Sequence, residues 1–327
     1  MNEGAGADTE AGAVRKLRFA TFGLTARCNC RCAKCGCWSL TDLPQEMPPE
    51  TWNRIADDLR SWPGRFEVSV TGGEPTLKEG YLDILRHCSD LGALTILTTN
   101  GYALDPETAR AIADTGLAVV NVSLDGPPPV NAAIHGVSGI TRRAWNGIGV
   151  LKDRRPDLFV DVTVVIQRAN AAILPDHVAA LLGDGRVRVR FQAVVHPVGS
   201  PYREGWHLHS DLWPDDPAAL AASLDWLVER KRAGAPILTT FRQFEIFREY
   251  FADPTARLTL PEGVGEDSLF ITLDGWVILP GCEKPVGHAA RQSIREIWEG
   301  DPARRAREAA RAIPRFFQEY VNCGYKE

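Results

Sequence analysis

Short β-rich runs alternate with amphipathic helical runs along the first two thirds of the chain, and this alternation limits the possible folds more than any other feature. Six runs read as strands: Leu17 to Leu24, Phe66 to Thr71, Leu94 to Thr99, Val119 to Leu124, Phe159 to Ile166 and Val187 to Val195. Between them, Trp52, Ile55, Ala56 and Leu59 recur at helical spacing, as do Tyr81, Ile84, Leu85 and Cys88. Thr141 is expected to cap a helix through Lys152, and Pro175 to open another. Repeated strand-helix units predict an α/β fold with a parallel sheet and helices outside. The sheet can be open and doubly wound, or a partial or complete (β/α) barrel.

After His196 the rhythm changes. Asp216-Pro217 opens a helix through Arg232, and Phe241 to Phe251 reads as a second. In Ser268 to Leu279, Asp274-Gly275 separates two apolar runs, which is a hairpin signal. The expected organisation is a disordered tail over 1–14, a core over 15–200, and a helical and hairpin extension over 201–327 that covers the mouth of the core.

The 327 residues are 44% hydrophobic and 24% charged, a globular mixture able to bury a core. A net charge of -5 lacks the broad basic field that nucleic acids or anionic membranes attract, so neither is an expected partner. The longest apolar stretches, such as Val162 to Ile166, are far short of a membrane span. No basic segment followed by an apolar run opens the chain, and a cytoplasmic location is expected.

Of eight cysteines, Cys28, Cys30, Cys32, Cys35 and Cys37 fall within ten residues just after the first strand run. Such crowding points to a metal centre rather than to disulfides. Cys28, Cys32 and Cys35 can surround one centre and leave a coordination position free, which suits an iron-sulfur cluster, with a structural zinc site or unligated thiols as the alternatives. Gly72, Gly73, Glu74 and Pro75, then Asn100, Ser123, Asp125 and His196, also fall at the C-terminal ends of strands. In a parallel barrel such residues share one mouth. The two glycines let backbone approach a ligand, and Glu74 supplies a fixed acceptor.

The segment LTARCNCRCAKC resembles the CxxxCxxC cluster loop of the radical S-adenosylmethionine (SAM) enzymes, and Thr71-Gly72-Gly73-Glu74-Pro75 resembles their GGE motif. Leu97 to Gly101 and Asn121 to Gly126 resemble further patterns of that family, so the likeness runs from about Leu17 to Val195. It implies a partial (β/α)6 TIM-like barrel with a small C-terminal α+β extension, one [4Fe-4S] cluster on Cys28, Cys32 and Cys35, and SAM held by Gly72, Gly73, Glu74 and Pro75. Asn100 belongs with this cofactor site. Ser123 and Asp125 are expected at ribose or methionyl oxygens, and Gln192 beside adenine. Two positions depart from the family pattern. Lys34 stands where an aromatic residue usually precedes the third cysteine, with Trp38 a candidate substitute, and His135 stands where relatives often carry an arginine for the SAM carboxylate.

The resemblance also implies reductive SAM cleavage to a 5'-deoxyadenosyl radical, with a flavodoxin or ferredoxin-type protein as electron donor. Asp274 to Cys282 resembles the start of a SPASM or twitch extension, which usually carries an auxiliary cluster on four cysteines. Outside the N-terminal loop and Cys88, only Cys282 and Cys323 are available. A redox-neutral reaction is therefore expected: epimerisation of a small carbohydrate-like substrate with Cys282 as hydrogen-atom donor, as in antibiotic-sugar tailoring. A radical dehydrogenase or dehydratase on an aminoglycoside or nucleoside sugar is the alternative, and a non-catalytic zinc protein the remote one. His196, Tyr202 and Arg203 offer polar and aromatic groups for a hydroxyl-rich ligand.

Overall fold

A computed structural model of the chain describes residues 16–62, 66–197, 200, 202–258, 266–282, 284–323 and 325. The expected tail over 1–14 lies outside the described residues. The six expected strands are present: β1 Phe19–Gly23, β2 Glu67–Thr71, β3 Leu94–Thr99, β4 Val119–Ser123, β5 Phe159–Ile166 and β6 Arg188–Ala193. They pair in parallel and in sequence order, as a (β/α) unit repeated without a crossover jump requires.

Helices α1 Pro49–Arg60, α2 Tyr81–Asp90, α3 Pro106–Ala113, α4 Pro128–His135, α5 Ile140–Arg154 and α6 Leu174–Gly183 return the chain between strands. Their starts follow local chemistry. Pro106 opens α3 at its first turn while the Asp105 carboxylate accepts from the backbone N–H groups of Glu107 and Thr108. Helix α5 begins two residues earlier than expected. Gly139, at φ +72°, occupies the N-cap, and Thr141 is buried inside the first turn with its hydroxyl accepting from Asn131 Nδ2 at 3.0 Å. Tertiary pairing thus takes the hydroxyl that a cap would use. The helix also runs on past Lys152 to Arg154.

Strand alternation divides the sheet into two unlike faces. Ala20, Phe22, Val68, Val70, Val120, Val122, Val162, Val164, Val189 and Phe191 are buried toward the helices. Phe22 meets Trp52 of α1 at 4.9 Å between ring centroids. On the opposite, concave face stand Thr21, Ser69, Thr98, Asn121, Ser123, Thr163, Arg190 and Gln192. The register runs through Thr98, Asn121, Asp161 and Arg188 in one rung, and through Ser123, Thr163 and Arg190 in the next.

The extension holds α7 Pro217–Arg232, α8 Phe241–Ala252, β7 Arg257–Leu258, β8 Ser268–Ile271, β9 Trp276–Ile278, β10 Gly287–His288, α9 Ile294–Glu299, α10 Asp301–Ala312 and β11 Arg315–Phe316. The expected hairpin forms, as β8 and β9, and it continues the core sheet instead of standing apart. β8 pairs in parallel with β1, giving the order β10-β9-β8-β1-β2-β3-β4-β5-β6. β7 pairs separately with β11.

Among the described residues the nine-stranded sheet is open, with no strand joining β6 to the hairpin side. Side chains close this seam. Asn322 accepts from Ala193 N–H and donates to Ala193 C=O, both at 2.9 Å, while Gln318 Oε1 accepts from His196 N–H and Trp206 Nε1. Buried Tyr320 fills the space beside Gly281, where an added Cβ would come within 2.9 Å of its ring. No helix among the described residues is long and apolar enough to cross a membrane.

Replacing Asn322 by alanine leaves the Ala193 N–H and C=O without their partner. The expected loss is about 1–3 kcal/mol of stability, read as a lower urea midpoint with an unchanged slope.

Candidate active site

The cysteine loop leaves the C-terminal end of β1 and is held there by backbone. Leu24 N–H donates to Thr71 C=O at 2.9 Å, Gly73 N–H to Thr25 C=O at 2.7 Å, and Glu74 N–H to Arg27 C=O at 2.8 Å. This contact requires glycine. A Cβ on Gly72, whose φ is +144°, would stand 2.4 Å from Thr25 O, and one on Gly73 would stand 2.3 Å from Arg27 O.

Glu74 is fully buried, yet its carboxylate is well supplied with donors. Thr76 Oγ1 at 2.7 Å, Thr99 Oγ1 at 2.8 Å and Asn100 N–H at 2.8 Å all point to it. Burial still outweighs these bonds and raises its pKa. Asn100 links this group to the loop: its Nδ2 donates to Asn29 Oδ1 at 2.7 Å and lies 3.8 Å from Cys28 Sγ. The role of Thr99 was legible in the Leu97 to Gly101 stretch but was not singled out.

Cys28, Cys32 and Cys35 are part-exposed and free of disulfides, whereas Cys30 is buried. A hydrogen bond from Cys30 lowers the Cys28 pKa and, against burial and with help from His135, takes Cys32 to about 5. Cys37 does the same for Cys35, to about 6 against burial. Cys30 and Cys37 are raised in return, each as the protonated partner. The three thiols at the cluster spacing are thus the ones inclined to the thiolate form that metal ligation requires.

Two residues expected at SAM, Asp125 and His135, have partners within the protein. Asp125 is fully buried. Its carboxylate pairs with Lys34, lies 3.1 Å from His135 Nε2 and accepts from Val165 N–H at 2.6 Å. Burial opposes its charge, but Lys34 and His135 hold its pKa below the usual carboxylate range. His135 is likewise buried, with Nδ1 3.4 Å from Cys32 Sγ. Burial disfavours its charge, but Asp125 and Cys32 raise its pKa to about 9. Lys34, Asp125 and His135 therefore brace the loop from below. Trp38 is 44% exposed and donates its indole N–H to Cys32 C=O at 3.2 Å, which pins the loop.

Ser123 and Gln192 remain on the concave face, and among the described residues their side chains make no hydrogen bond. At the end of β6, His196 packs edge-on to Tyr202 at 5.4 Å and Trp206 at 5.8 Å, and Tyr202 and Arg203 are exposed. Cys282 lines a groove of about 380 Å³ with Phe19, Thr21, Phe270, Ile278 and Glu319. Its Sγ is turned to the carbonyls of Ala306 at 3.6 Å and Pro280 at 3.7 Å. Glu46 was missed in the sequence. It contacts Thr25 and bonds Arg27 at 3.2 Å and Lys78 at 3.1 Å, bracing the outer side of the loop, and no local pattern announces it.

An open barrel with three cysteines on the loop after its first strand and a glycine-acid cradle beside that loop has the form of a half-barrel protein with its site at the strand ends. Residues 23–180 match the Radical SAM superfamily, so the core of the chain is a Radical SAM domain. Members use a [4Fe-4S] cluster and SAM. The cysteine triplet and the Gly72 to Glu74 cradle fit that pair.

The chain is 30% identical over 161 residues to the Fe-coproporphyrin III synthase of Methanosarcina barkeri, covering 49% of this chain and 40% of that protein. It is 31% identical over 157 residues to the PqqA peptide cyclase of Rhodopseudomonas palustris, covering 47% and 40%. The match therefore spans about two fifths of these relatives. Among solved structures, native anSMEcpe with bound AdoMet superposes with a TM-score of 0.64 at 15% identity, covering 90% of this chain and 83% of that one. This last likeness is one of fold.

Asp125→Ala leaves the buried His135 and the half-buried Lys34 without their counter-charge. It is expected to cost about 3–5 kcal/mol in chemical unfolding, whereas the exposed Asp157→Ala stays within about 0.5 kcal/mol.

Proposed function

We propose that this chain is a radical SAM enzyme that abstracts hydrogen from a small, hydroxyl-rich substrate seated on the concave face, and that it epimerises a sugar carbon. The observation that carries this reading is the polar inner face beneath the cysteine loop. Thr21, Ser69, Thr98, Asn121, Ser123 and Thr163 line it together with the apolar Ile96, Val119 and Val165, while the helix-facing side of the same strands is mostly apolar. Hydroxyls and amides in such an array suit a ligand that carries many hydroxyls of its own.

When bound, the cluster and SAM supply the deoxyadenosyl radical. The chain's residues then do three things. Cys28, Cys32 and Cys35 hold the cluster, and Gly72, Gly73, Glu74 and Pro75 fix the methionyl end of SAM, with Ser123 and Gln192 facing its nucleoside part. His196, Tyr202 and Arg203 rim the chamber at the end of β6. Cys282, which follows β9 and shares a groove with residues of β1 and β8, returns a hydrogen atom to the opposite face of the substrate carbon. Burial raises the Cys282 pKa, so the thiol keeps the S–H bond this step needs. Each turnover leaves Cys282 short of one hydrogen atom. An electron from a flavodoxin or ferredoxin-type donor, with a proton, restores it.

A dehydrogenase or dehydratase is the second reading. The direction of Cys282 Sγ, toward Ala306 and Pro280 carbonyls, favours it. Iron analysis and one variant separate the two. Anaerobically reconstituted protein is expected to hold about four irons per chain, and a Cys28/Cys32/Cys35 triple-alanine variant almost none. About eight and four would bring the oxidative reading forward. Cys282→Ala should still form 5'-deoxyadenosine from SAM but install no hydrogen on the opposite face, and normal epimerisation by this variant would sink the assignment.

A further inference from the structure

The concave face of β5 and β6 carries a charged group that neither the cluster loop nor the SAM cradle uses. Asp161 on β5 is 2% exposed, and its Oδ1 accepts from Arg188 Nε at 2.7 Å. Its Oδ2 lies 3.6 Å from an Nη of Arg190. The Arg188 guanidinium also sits 4.0 Å over the ring of Phe159. These residues share one face, because Asp161 is in register with Arg188 and Thr163 with Arg190.

One carboxylate serves two guanidiniums, so this part of the chamber carries one positive charge in excess. The donors are also in excess. A guanidinium has five N–H groups. Arg188 commits only its Nε to a hydrogen bond, and Arg190 makes none among the described residues. Their side chains are 29% and 50% exposed, so the uncommitted edges are open to solvent and to a ligand.

Arg188 is also immobilised. A nearly buried carboxylate grips it at one edge and an aromatic ring supports its plane, which leaves the terminal Nη groups as a fixed fork. That geometry matches the two oxygens of a carboxylate or phosphate. The other carboxylate on the inner face of the core strands, Glu67, belongs to β2, four strands away, and does not offset the charge.

We propose that Arg188 and Arg190 form an oxyanion subsite that binds a carboxylate or phosphate carried by the substrate. Arg190 shares a rung with Ser123 two strands away, so the anionic group would dock roughly 10 Å from the SAM-facing hydroxyl at ~4.8 Å per strand. This inference rests on the reading of the concave face as the substrate chamber, and it narrows the substrate class to an anionic, hydroxyl-rich small molecule.

The test is isothermal titration of anaerobically reconstituted protein with orthophosphate and with malonate, at ionic strength held constant with chloride. Wild-type protein is expected to bind at least one of the two. Arg188→Gln and Arg190→Gln should each weaken that binding about tenfold or more, and Arg190→Lys by less, since it keeps the charge without the fork. Arg154→Gln, whose side chain pairs with Asp114 on the outer surface, should change nothing. Binding of phosphate alone identifies a phosphorylated substrate, and binding of malonate alone a carboxylate. An adventitious anion effect only, equal in wild type and in both chamber variants, overturns the proposal, as does no binding of either anion to wild type. Iron content and 5'-deoxyadenosine formation, measured on the same preparations, report separately on the radical SAM reading.

Discussion

The buried Asp125 carboxylate is the interaction on which the site depends. A charge taken out of water costs several kcal/mol unless partners replace the solvent. Here the partners come from three elements: Lys34 from the cysteine loop, His135 from the end of α4, and the Val165 N–H from β5. Meeting the needs of one carboxylate therefore brings the loop, the helix and the sheet to a common point. Through His135 the same network reaches Cys32, so the sulfur position is set from inside the protein. Glu74 has the matching role on the other side, where Thr76, Thr99 and Asn100 converge on it.

Between these two anchors the loop gains definition without regular secondary structure. The backbone contacts of Gly73 and Glu74 with Thr25 and Arg27 extend the pairing of β1 and β2 past the ends of the strands. Glu46 then ties Arg27 to Lys78 on the outside. A half-exposed segment of this kind would ordinarily sample many conformations. Here its ends and its middle are each fastened to rigid elements, as a site that must position reactive groups requires.

How much of this could be read from the sequence depended on distance along the chain. The six strands and most helices were legible, because Val, Ile and Thr runs and the Trp52, Ile55, Ala56, Leu59 spacing are local signals. Cys28, Cys32, Cys35 and Gly72 to Pro75 were legible for the same reason. What escaped were bonds between distant segments. The meeting of Asp125 with Lys34, 91 residues away, has no local signal. Glu46 and Asn322 gave no signal, since their partners lie in other elements. Thr141 was misread because a threonine ahead of an apolar run looks like a cap until Asn131 claims its hydroxyl. The strand parity of Arg188, Arg190 and Gln192 was present in the letters. Its meaning required knowing which face is hollow.

The seam opposite the cysteine loop has a mechanical consequence. Between β5 and β6, six registered residue pairs join neighbouring main chains. Along the free edge of β6, a short main-chain bridge to 236–238 holds Val189, and beyond it the fastening is by side chains: the hydroxyls of Thr239 and Tyr250, the amides of Asn322 and Gln318, and the packing of Tyr320. Side-chain hydrogen bonds of this number can break and reform singly, without unzipping a ladder. The wall of the chamber thus has a hinge side made of backbone and a latch side made mostly of side chains. The latch sets how wide the chamber can spread around what it holds, while the strands keep the cofactor end unchanged.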